Sequence, residues 1–183
     1  MSKIFEQLQP TFDSVNRNVE RIEHRMNCHM SWCRDMTFQA SRYPPRRIIF
    51  CTKQTGLMGF HLHEDRRFDR ASFFWRGCPV TPAHAALIAC EATKHNLNVA
   101  FVGDLDPWDL FIFLSLGVSL FPFGVDVDYV GIDSNWLQLC RRNGNGIIKH
   151  HDRLIDLDPF ERAVLRQLQK LPVNWNKIIP RGG

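Results

Sequence analysis

Short apolar runs alternate with stretches of helical composition along most of the chain. The runs are of strand length and occur at 47–52, 72–77, 99–102 and 127–132. Helical stretches separate or follow the later runs, at 83–95, 107–116 and 159–171. From the second run onward this alternation predicts a mainly parallel sheet, because parallel strands need long crossover connections that usually contain a helix. We therefore predict an α/β fold.

The helix predicted after Pro107 differs from the others in its hydrophobicity. Its residues are apolar nearly all round, which predicts a helix buried against the sheet. Pro107 suits the first helical turn, where a missing N–H costs nothing. The composition of residues 117–124, which include glycine and proline, predicts that a loop has replaced the helix by then.

The N-terminal segment carries a pattern of its own. Apolar residues recur at alternating spacings of four and three, at Leu8, Phe12, Val15, Val19, Ile22 and Met26. This stripe predicts an amphipathic helix, and Pro10 predicts that the helix begins only around residues 11–14. The stripe is shorter than three heptads, so we favour packing on the domain's own sheet over a contact between two copies of the helix. We assign residues 1–42 to an N-terminal helical extension and 43–183 to the α/β domain with its C-terminal helix.

Composition and charge narrow the class of protein. At 183 residues with 44% hydrophobic content, the chain can form one domain with a substantial core. The formal net charge of +4 and several arginine clusters, such as Arg17, Arg21 and Arg25, are compatible with a nucleic-acid partner. No apolar run is long enough to span a membrane and the N-terminus is polar, so we expect a cytoplasmic protein with no membrane partner.

The strongest candidate for a functional site follows the run at 99–102. Gly103 ends that run, and two carboxylates, Asp104 and Asp106, come next at alternate positions. They would lie at the carboxyl edge of the sheet, where open α/β folds bind ligands. Mg²⁺ commonly takes one or two carboxylates from a protein, so we predict that Asp104 and Asp106 bind Mg²⁺. In the alternative interpretation one aspartate caps the following helix and the other is solvated.

The order of these parts resembles a Toprim domain. The motif Asp104-Leu-Asp-Pro-Trp-Asp109 is similar to the Asp-x-Asp-Pro-aromatic-Gly motif of the group that contains the A subunit of topoisomerase VI and the related meiotic double-strand-break nuclease. The similarity covers residues 46–140. It implies a Toprim-like sheet and a Mg²⁺-dependent role on DNA or another nucleic acid, in a topoisomerase-like protein or a nuclease.

Two positions depart from the family pattern. The resemblance implies a glutamate at the end of the first strand, where this chain has Thr52, a neutral hydroxyl that cannot replace a carboxylate. The closing glycine of the motif is Asp109, about one helical turn from Asp106 and therefore on the same edge. We take Asp104, Asp106 and Asp109 as the candidate catalytic residues, with Asp109 as the favoured substitute for the missing acid. The other candidates for that acid are Glu64, Asp65 and Asp128.

The resemblance also implies a DNA-cleavage step, for which we do not find the required tyrosine-bearing domain in this chain. In the family, a tyrosine on a separate winged-helix domain attacks DNA. The tyrosines here are Tyr43 and Tyr129, and the residues before the α/β domain are too few for that module. We therefore expect a degenerate relative that binds without cutting, or a nuclease that uses a substituted acid.

Two other functions stay open. One is a non-catalytic interaction subunit on a Toprim-like scaffold, with a protein partner or a second copy of the chain bound through the N-terminal helix. The other is a phosphatase-like or nucleotide-binding enzyme in which Asp104 is the nucleophile. The sequence lacks the other elements usual for aspartyl-phosphate chemistry in recognisable order.

Overall fold

A mixed sheet of five strands forms the centre of the molecule in the computed structural model, which describes residues 2–26, 35–52, 69–104, 106–130 and 157–175. The strands are β1 (Thr37–Gln39), β2 (Arg47–Cys51), β3 (Ala71–Trp75), β4 (Val99–Val102) and β5 (Val127–Tyr129). Their order in the sheet is β1-β3-β2-β4-β5. Strands β2 to β5 are parallel and β1 runs antiparallel to β3, which confirms the predicted α/β fold with a mainly parallel sheet.

Four α-helices belong to the described part of the chain. They are α1 (Ser2–Arg25), α2 (Pro82–His95), α3 (Pro107–Leu120) and α4 (Pro159–Leu168), and a 3₁₀ turn (Phe121–Phe123) follows α3. Helix α2 begins at Pro82, after Thr81, whose hydroxyl accepts a hydrogen bond from the backbone N–H of His84 at 3.2 Å. It ends at Asn96, whose φ of 52° is the left-handed conformation typical of a helix C-terminus.

The strand order creates a switch point between β2 and β4. The chain passes from β2 to β3 on one side of β2 and later returns to β4 on its other side. Cys51 of β2 is in register with Val102 of β4, and the backbone N–H of Thr52 donates to the Val102 carbonyl at 3.3 Å. In open α/β sheets, ligands bind beyond the carboxyl ends of strands at such a point. Thr52 and the residues after Val102 therefore occupy the position where the fold favours a site.

Helix α3 is the centre of the core. It packs against α1, α2, α4 and β5, and only Leu110 and Ser119 of its residues are partly exposed. The predicted burial is confirmed, but the predicted loop at 117–124 is wrong for its first four residues. The helix continues through Leu120, because Leu120 is buried and Gly117 lies against the ring of Phe5, where a Cβ would overlap the ring. Glycine is used here for close packing of two helices.

Helix α1 is longer than the sequence predicts. It begins at Ser2 and includes Pro10, so the predicted start around residues 11–14 is wrong. Pro10 lies on the exposed side, and the buried residues Phe5 and Leu8 precede it on the apolar stripe. The packing of those two side chains outweighs the single helical hydrogen bond that a proline removes.

The apolar stripe of α1 is buried within the chain. Phe5 meets Phe113 edge to face with ring centroids 5.9 Å apart, and Phe12 stacks on Phe111 at 5.5 Å. Helix α1 also packs against α4. Met26, at the end of the stripe, is 40% exposed. The stripe therefore packs within the chain, as favoured over a second copy, but the predicted contact with the sheet is wrong, because the stripe packs on α3 and α4.

Strand β1 has no counterpart among the predicted elements. It is three residues long and pairs with β3 at the edge of the sheet, where Phe38 stacks on Phe74 at 4.5 Å. Three residues are too few to show alternation, so the sequence carries no signal for this strand. In the part of the chain that the structure describes, no helix combines the length and the hydrophobicity needed to cross a membrane.

A candidate metal site at the carboxyl edge of the sheet

Three aspartates converge where β4 leads into α3. One carboxylate oxygen from each of Asp104, Asp106 and Asp109 lies within 4.8 Å of the other two. Asp104 follows the end of β4, Asp106 precedes α3, and Asp109 lies in the first turn of α3. The structure thus brings together the three residues that the sequence singles out, at the switch point of the sheet.

Asp106 is the N-cap of α3. Its backbone is extended, with φ −73° and ψ 155°, and its Oδ1 accepts a hydrogen bond from the Asp109 N–H at 2.7 Å. Pro107 occupies the first helical position, as predicted. The capping role expected in the alternative interpretation therefore exists, and it also fixes the position of the Asp106 carboxylate beside that of Asp109.

Asp109 is the most buried member of the cluster, with 1% of its surface exposed. Its Oδ2 accepts hydrogen bonds from the Thr52 hydroxyl at 2.7 Å and from the Asp104 backbone N–H at 2.8 Å. These bonds connect the end of β2, the end of β4 and the start of α3. We refer to Thr52, Asp109 and the Asp104 N–H as the Thr52–Asp109 clamp.

Gly103 makes room for this clamp. A Cβ at position 103 would lie 2.9 Å from Asp109 Oδ2 and 2.7 Å from the ring of Phe101. Both distances are shorter than a side chain tolerates, so any larger residue would displace the buried carboxylate. The glycine that ends the apolar run is therefore needed for close approach of the carboxylate to the backbone.

Tyr129 supports the same loop from β5, a role that the sequence does not reveal. Its hydroxyl lies 3.0 Å from the Gly103 carbonyl and 3.1 Å from the Asp104 carbonyl, so its single proton is shared between two acceptors. Tyr129 is 5% exposed and its ring stacks near Phe101 with centroids 5.8 Å apart. The hydroxyl therefore fixes the backbone at Gly103 and Asp104.

The other predicted acids do not join the cluster among the described residues. Asp128 lies on β5 and is not part of the group of three aspartates. Glu64 and Asp65 lie outside the residues that the structure describes. Tyr43 is exposed, with the Arg42 guanidinium 5.8 Å from the centre of its ring. Asp109 is therefore the candidate acid that the described structure places next to Asp104 and Asp106.

A separate groove is lined in part by Trp108, the residue before Asp109, and by none of the three aspartates. It has a volume of about 610 Å³ and is bounded by α1, α3 and the loop that precedes α2. Trp108 donates its indole N–H to the Gly77 carbonyl at 2.9 Å, and Arg76 donates its Nε–H to the Pro79 carbonyl at 2.9 Å. Burial and then the nearby charge of Arg76 lower the pKa of His84, and Asp35 opposes this shift.

No family model, curated protein or solved structure matches the chain. The resemblance to Toprim domains therefore stays a prediction from the sequence.

The chemistry of the cluster suits a hard cation. Carboxylate oxygens are the ligands that Mg²⁺ and other hard divalent ions take from proteins. Three carboxylates so close together repel one another, and a bound cation, the start of a helix and backbone N–H donors all reduce that repulsion. Asp104 and Asp106 are partly exposed, so an ion could reach them, whereas Asp109 lies beneath. The three aspartates could therefore bind a metal ion.

Proposed function

We propose that this chain is a Toprim-like protein that binds Mg²⁺ through Asp104 and Asp106 and thereby contacts the phosphodiesters of DNA or another nucleic acid. The observation that carries this proposal is the convergence of three carboxylates at the switch point of a parallel sheet. The motif of residues 104–109 and the order of the elements support the Toprim resemblance. A cytoplasmic location belongs to the same proposal.

Each acidic residue has a distinct part in this proposal. Asp104 and Asp106, which are partly exposed, are the metal ligands. Asp109 orients the pair, because its backbone N–H binds Asp106 and its carboxylate binds the Asp104 N–H. A bound Mg²⁺ would offset the charge of phosphate oxygens and polarise them as a Lewis acid.

The structure also bears on how a nuclease reaction would differ from that of the family. Thr52 lies where the resemblance implies a glutamate, and its hydroxyl donates to Asp109 at 2.7 Å. A carboxylate is thus present beside the end of β2, supplied by α3 instead of the strand. Tyr129 is buried with its hydroxyl bound to backbone carbonyls, so it is no candidate for attack on DNA. A nuclease reaction here would use Asp109 in place of the strand acid.

One observation favours the second function, a non-catalytic interaction subunit on the same scaffold. Oδ2 of Asp109 already accepts two hydrogen bonds that hold the loop together. A carboxylate with this structural role need not take part in chemistry. In that case nucleic-acid or protein binding by the chain would not depend on a metal.

The decisive experiment is calorimetric titration of Mg²⁺ and Mn²⁺ into the wild-type chain and into Asp104→Asn/Asp106→Asn. The amide is close in size to the carboxylate, so the variant tests charge and metal ligation with little change in packing. The matched control is Asp126→Asn/Asp128→Asn, which repeats the spacing and the charge change at β5. Thermal unfolding of all three proteins shows that each is folded.

We expect the affinity for the metal to fall by about tenfold or more in Asp104→Asn/Asp106→Asn and to stay unchanged in the control. Binding that requires the two aspartates would justify nuclease assays on plasmid and single-stranded DNA. Equal affinities in the wild type and the double variant would overturn the metal site. Absence of binding to the wild type, with and without an oligonucleotide, would favour the interaction subunit.

A further inference from the structure

A basic groove lies between α1 and the end of α4, away from the aspartate cluster. It has a volume of about 210 Å³ and is lined by Asn18, Arg21, Ile22, Arg25, Gln167 and Lys170. Three of these residues are cations, two are amides and none is acidic. We refer to this feature as the α1–α4 groove.

We propose that the α1–α4 groove binds the sugar–phosphate backbone of a nucleic acid. This inference names a contact surface for the partner of the proposed function, and it rests on that function only for the class of partner. The metal has no part in it, so the two proposals can fail separately.

The three cations of the groove have no acidic partner among the described residues. Lys170 donates a hydrogen bond to the side chain of Gln167 at 2.9 Å, which places both groups at the same wall of the groove. Arg21 and Arg25 are exposed. The positive charge of the groove is therefore available to an anionic ligand.

Charge is unevenly distributed along α1. The basic residues recur every four positions at Arg17, Arg21 and Arg25, and Arg17 lines a hollow next to the groove together with Glu20. Three of the acidic residues of α1, Asp13, Glu20 and Glu23, line the 610 Å³ groove and are absent from the α1–α4 groove. The α1 wall of the α1–α4 groove therefore carries Arg21 and Arg25 and no acid.

Helix α4 repeats the basic spacing. Arg162, Arg166 and Lys170 follow one another at intervals of four residues and are exposed. Cations in the last turn of a helix stabilise its C-terminus, which accounts for Arg25 and Arg166. That explanation does not cover Arg17, Arg21 or Arg162, which lie earlier in their helices. Each helix thus carries a row of cations, and Lys170, two residues after the end of α4, is the member of the second row that lines the groove.

The chemistry of the rows favours a nucleic acid over other anionic partners. Arginine, lysine and amide side chains are the groups that contact phosphate oxygens in nucleic-acid complexes. A membrane surface would need apolar side chains beside the cations, and the groove offers only Ile22, which is partly buried. An acidic protein is the remaining alternative, and competition between DNA and polyglutamate for the groove distinguishes the two.

The test is fluorescence anisotropy with a labelled DNA duplex in EDTA, at about 50 to 200 mM salt. The variant Arg21→Gln/Arg25→Gln/Lys170→Gln removes the three cations of the groove. Its matched control, Arg42→Gln/Arg46→Gln/Arg47→Gln, removes three exposed cations near β2. Urea unfolding of both variants verifies that they are folded.

We expect the groove variant to bind about tenfold or more weakly than the wild type, and the slope of log K against log salt to fall by about two to three. The control should bind within about threefold of the wild type, since it changes net charge alone. The assay contains EDTA and no divalent metal, so failure of the metal site leaves this result intact.

Three outcomes would overturn the proposal. The first is equal affinity of the groove variant and its control. The second is no binding to the wild type at the lowest salt. The third is displacement of the DNA by polyglutamate at the same charge concentration as by unlabelled DNA, which would assign the groove to acidic proteins.

Discussion

The aspartate cluster and the α1–α4 groove are built in opposite ways. The cluster consists of buried or partly buried groups that bind one another and the backbone, through the Thr52–Asp109 clamp and the N-cap of α3. The groove is formed by α1 and the end of α4, two distant parts of the chain, and its three cations are long, exposed side chains. Substitutions in the cluster should therefore change folding stability together with binding, whereas substitutions in the groove should change binding alone.

The largest effect on stability is expected from Asp109→Ala. The change leaves the Thr52 hydroxyl and the Asp104 N–H without their acceptor in a buried place, which should lower the free energy of unfolding by about 2–4 kcal/mol. Urea denaturation measures this loss. Asp109→Asn keeps an acceptor oxygen and removes the charge, so it should cost clearly less. Equal stability of Asp109→Ala and the wild type would show that the clamp contributes nothing.

Gly117→Ala tests the groove side of the comparison, because it should displace α1. The added methyl group would overlap the ring of Phe5, and overpacking of this kind costs about 1–3 kcal/mol, offset in part by the higher helix propensity of alanine. We expect weaker DNA binding with unchanged metal affinity, because α1 forms the groove and not the cluster.

Phe5→Leu provides the control for this prediction. The smaller side chain should make room for the methyl group, so Gly117→Ala should cost less in the Phe5→Leu background than in the wild type. The same cost in both backgrounds, measured by urea denaturation, would contradict the predicted overlap.

Thr52→Val should have a smaller effect within the clamp. It removes one hydrogen bond to Asp109 while preserving the shape of the side chain, at a cost of about 1 kcal/mol or somewhat more in the free energy of unfolding. Thr52→Ser keeps the hydroxyl and is the matched control. If valine and serine variants unfold at the same urea concentration, the hydroxyl is not the reason for threonine at this position.

The smallest expected effect is on the pH dependence of stability. It comes from His84, which belongs to neither the cluster nor the groove. Burial and Arg76 lower the pKa of His84 below its usual 6.5, so the unfolded chain binds more protons at this residue than the folded one. The contribution of His84 to stability is complete above pH 6.5 and declines as the pH falls through the lowered pKa. His84→Gln should flatten the pH dependence of the unfolding free energy between about pH 5 and 7. An identical pH profile in the variant would refute this assignment.

Local sequence signals account for much of the fold and for part of the site. The cap, the proline and the aspartates of residues 104–109 all act within one turn of a helix, so their positions could be predicted. The hydrogen bond between Thr52 and Asp109 joins residues 57 positions apart, and the groove joins α1 to α4. Such pairings depend on tertiary packing, which periodicity does not specify.

The wrong predictions have the same origin. Pro10 and Gly117 are residues that usually end a helix, yet both lie inside helices. In each case buried contacts, those of Phe5 above all, outweigh the local preference. Predictions from neighbouring residues were therefore correct where those residues determine the structure, and wrong where one helix packs closely on another.

Helix α4 sets a minimum length for any nucleic-acid strand that contacts both the aspartate cluster and the α1–α4 groove. Near its start, the ring of Phe160 lies 5.3 Å from that of Trp108, the residue before Asp109, and its end borders the groove. Ten residues of helix measure about 15 Å. At about 3.4 Å per base pair, that distance corresponds to four or five base pairs. Oligonucleotides shorter than this should bind in the groove or at the cluster, but not at both.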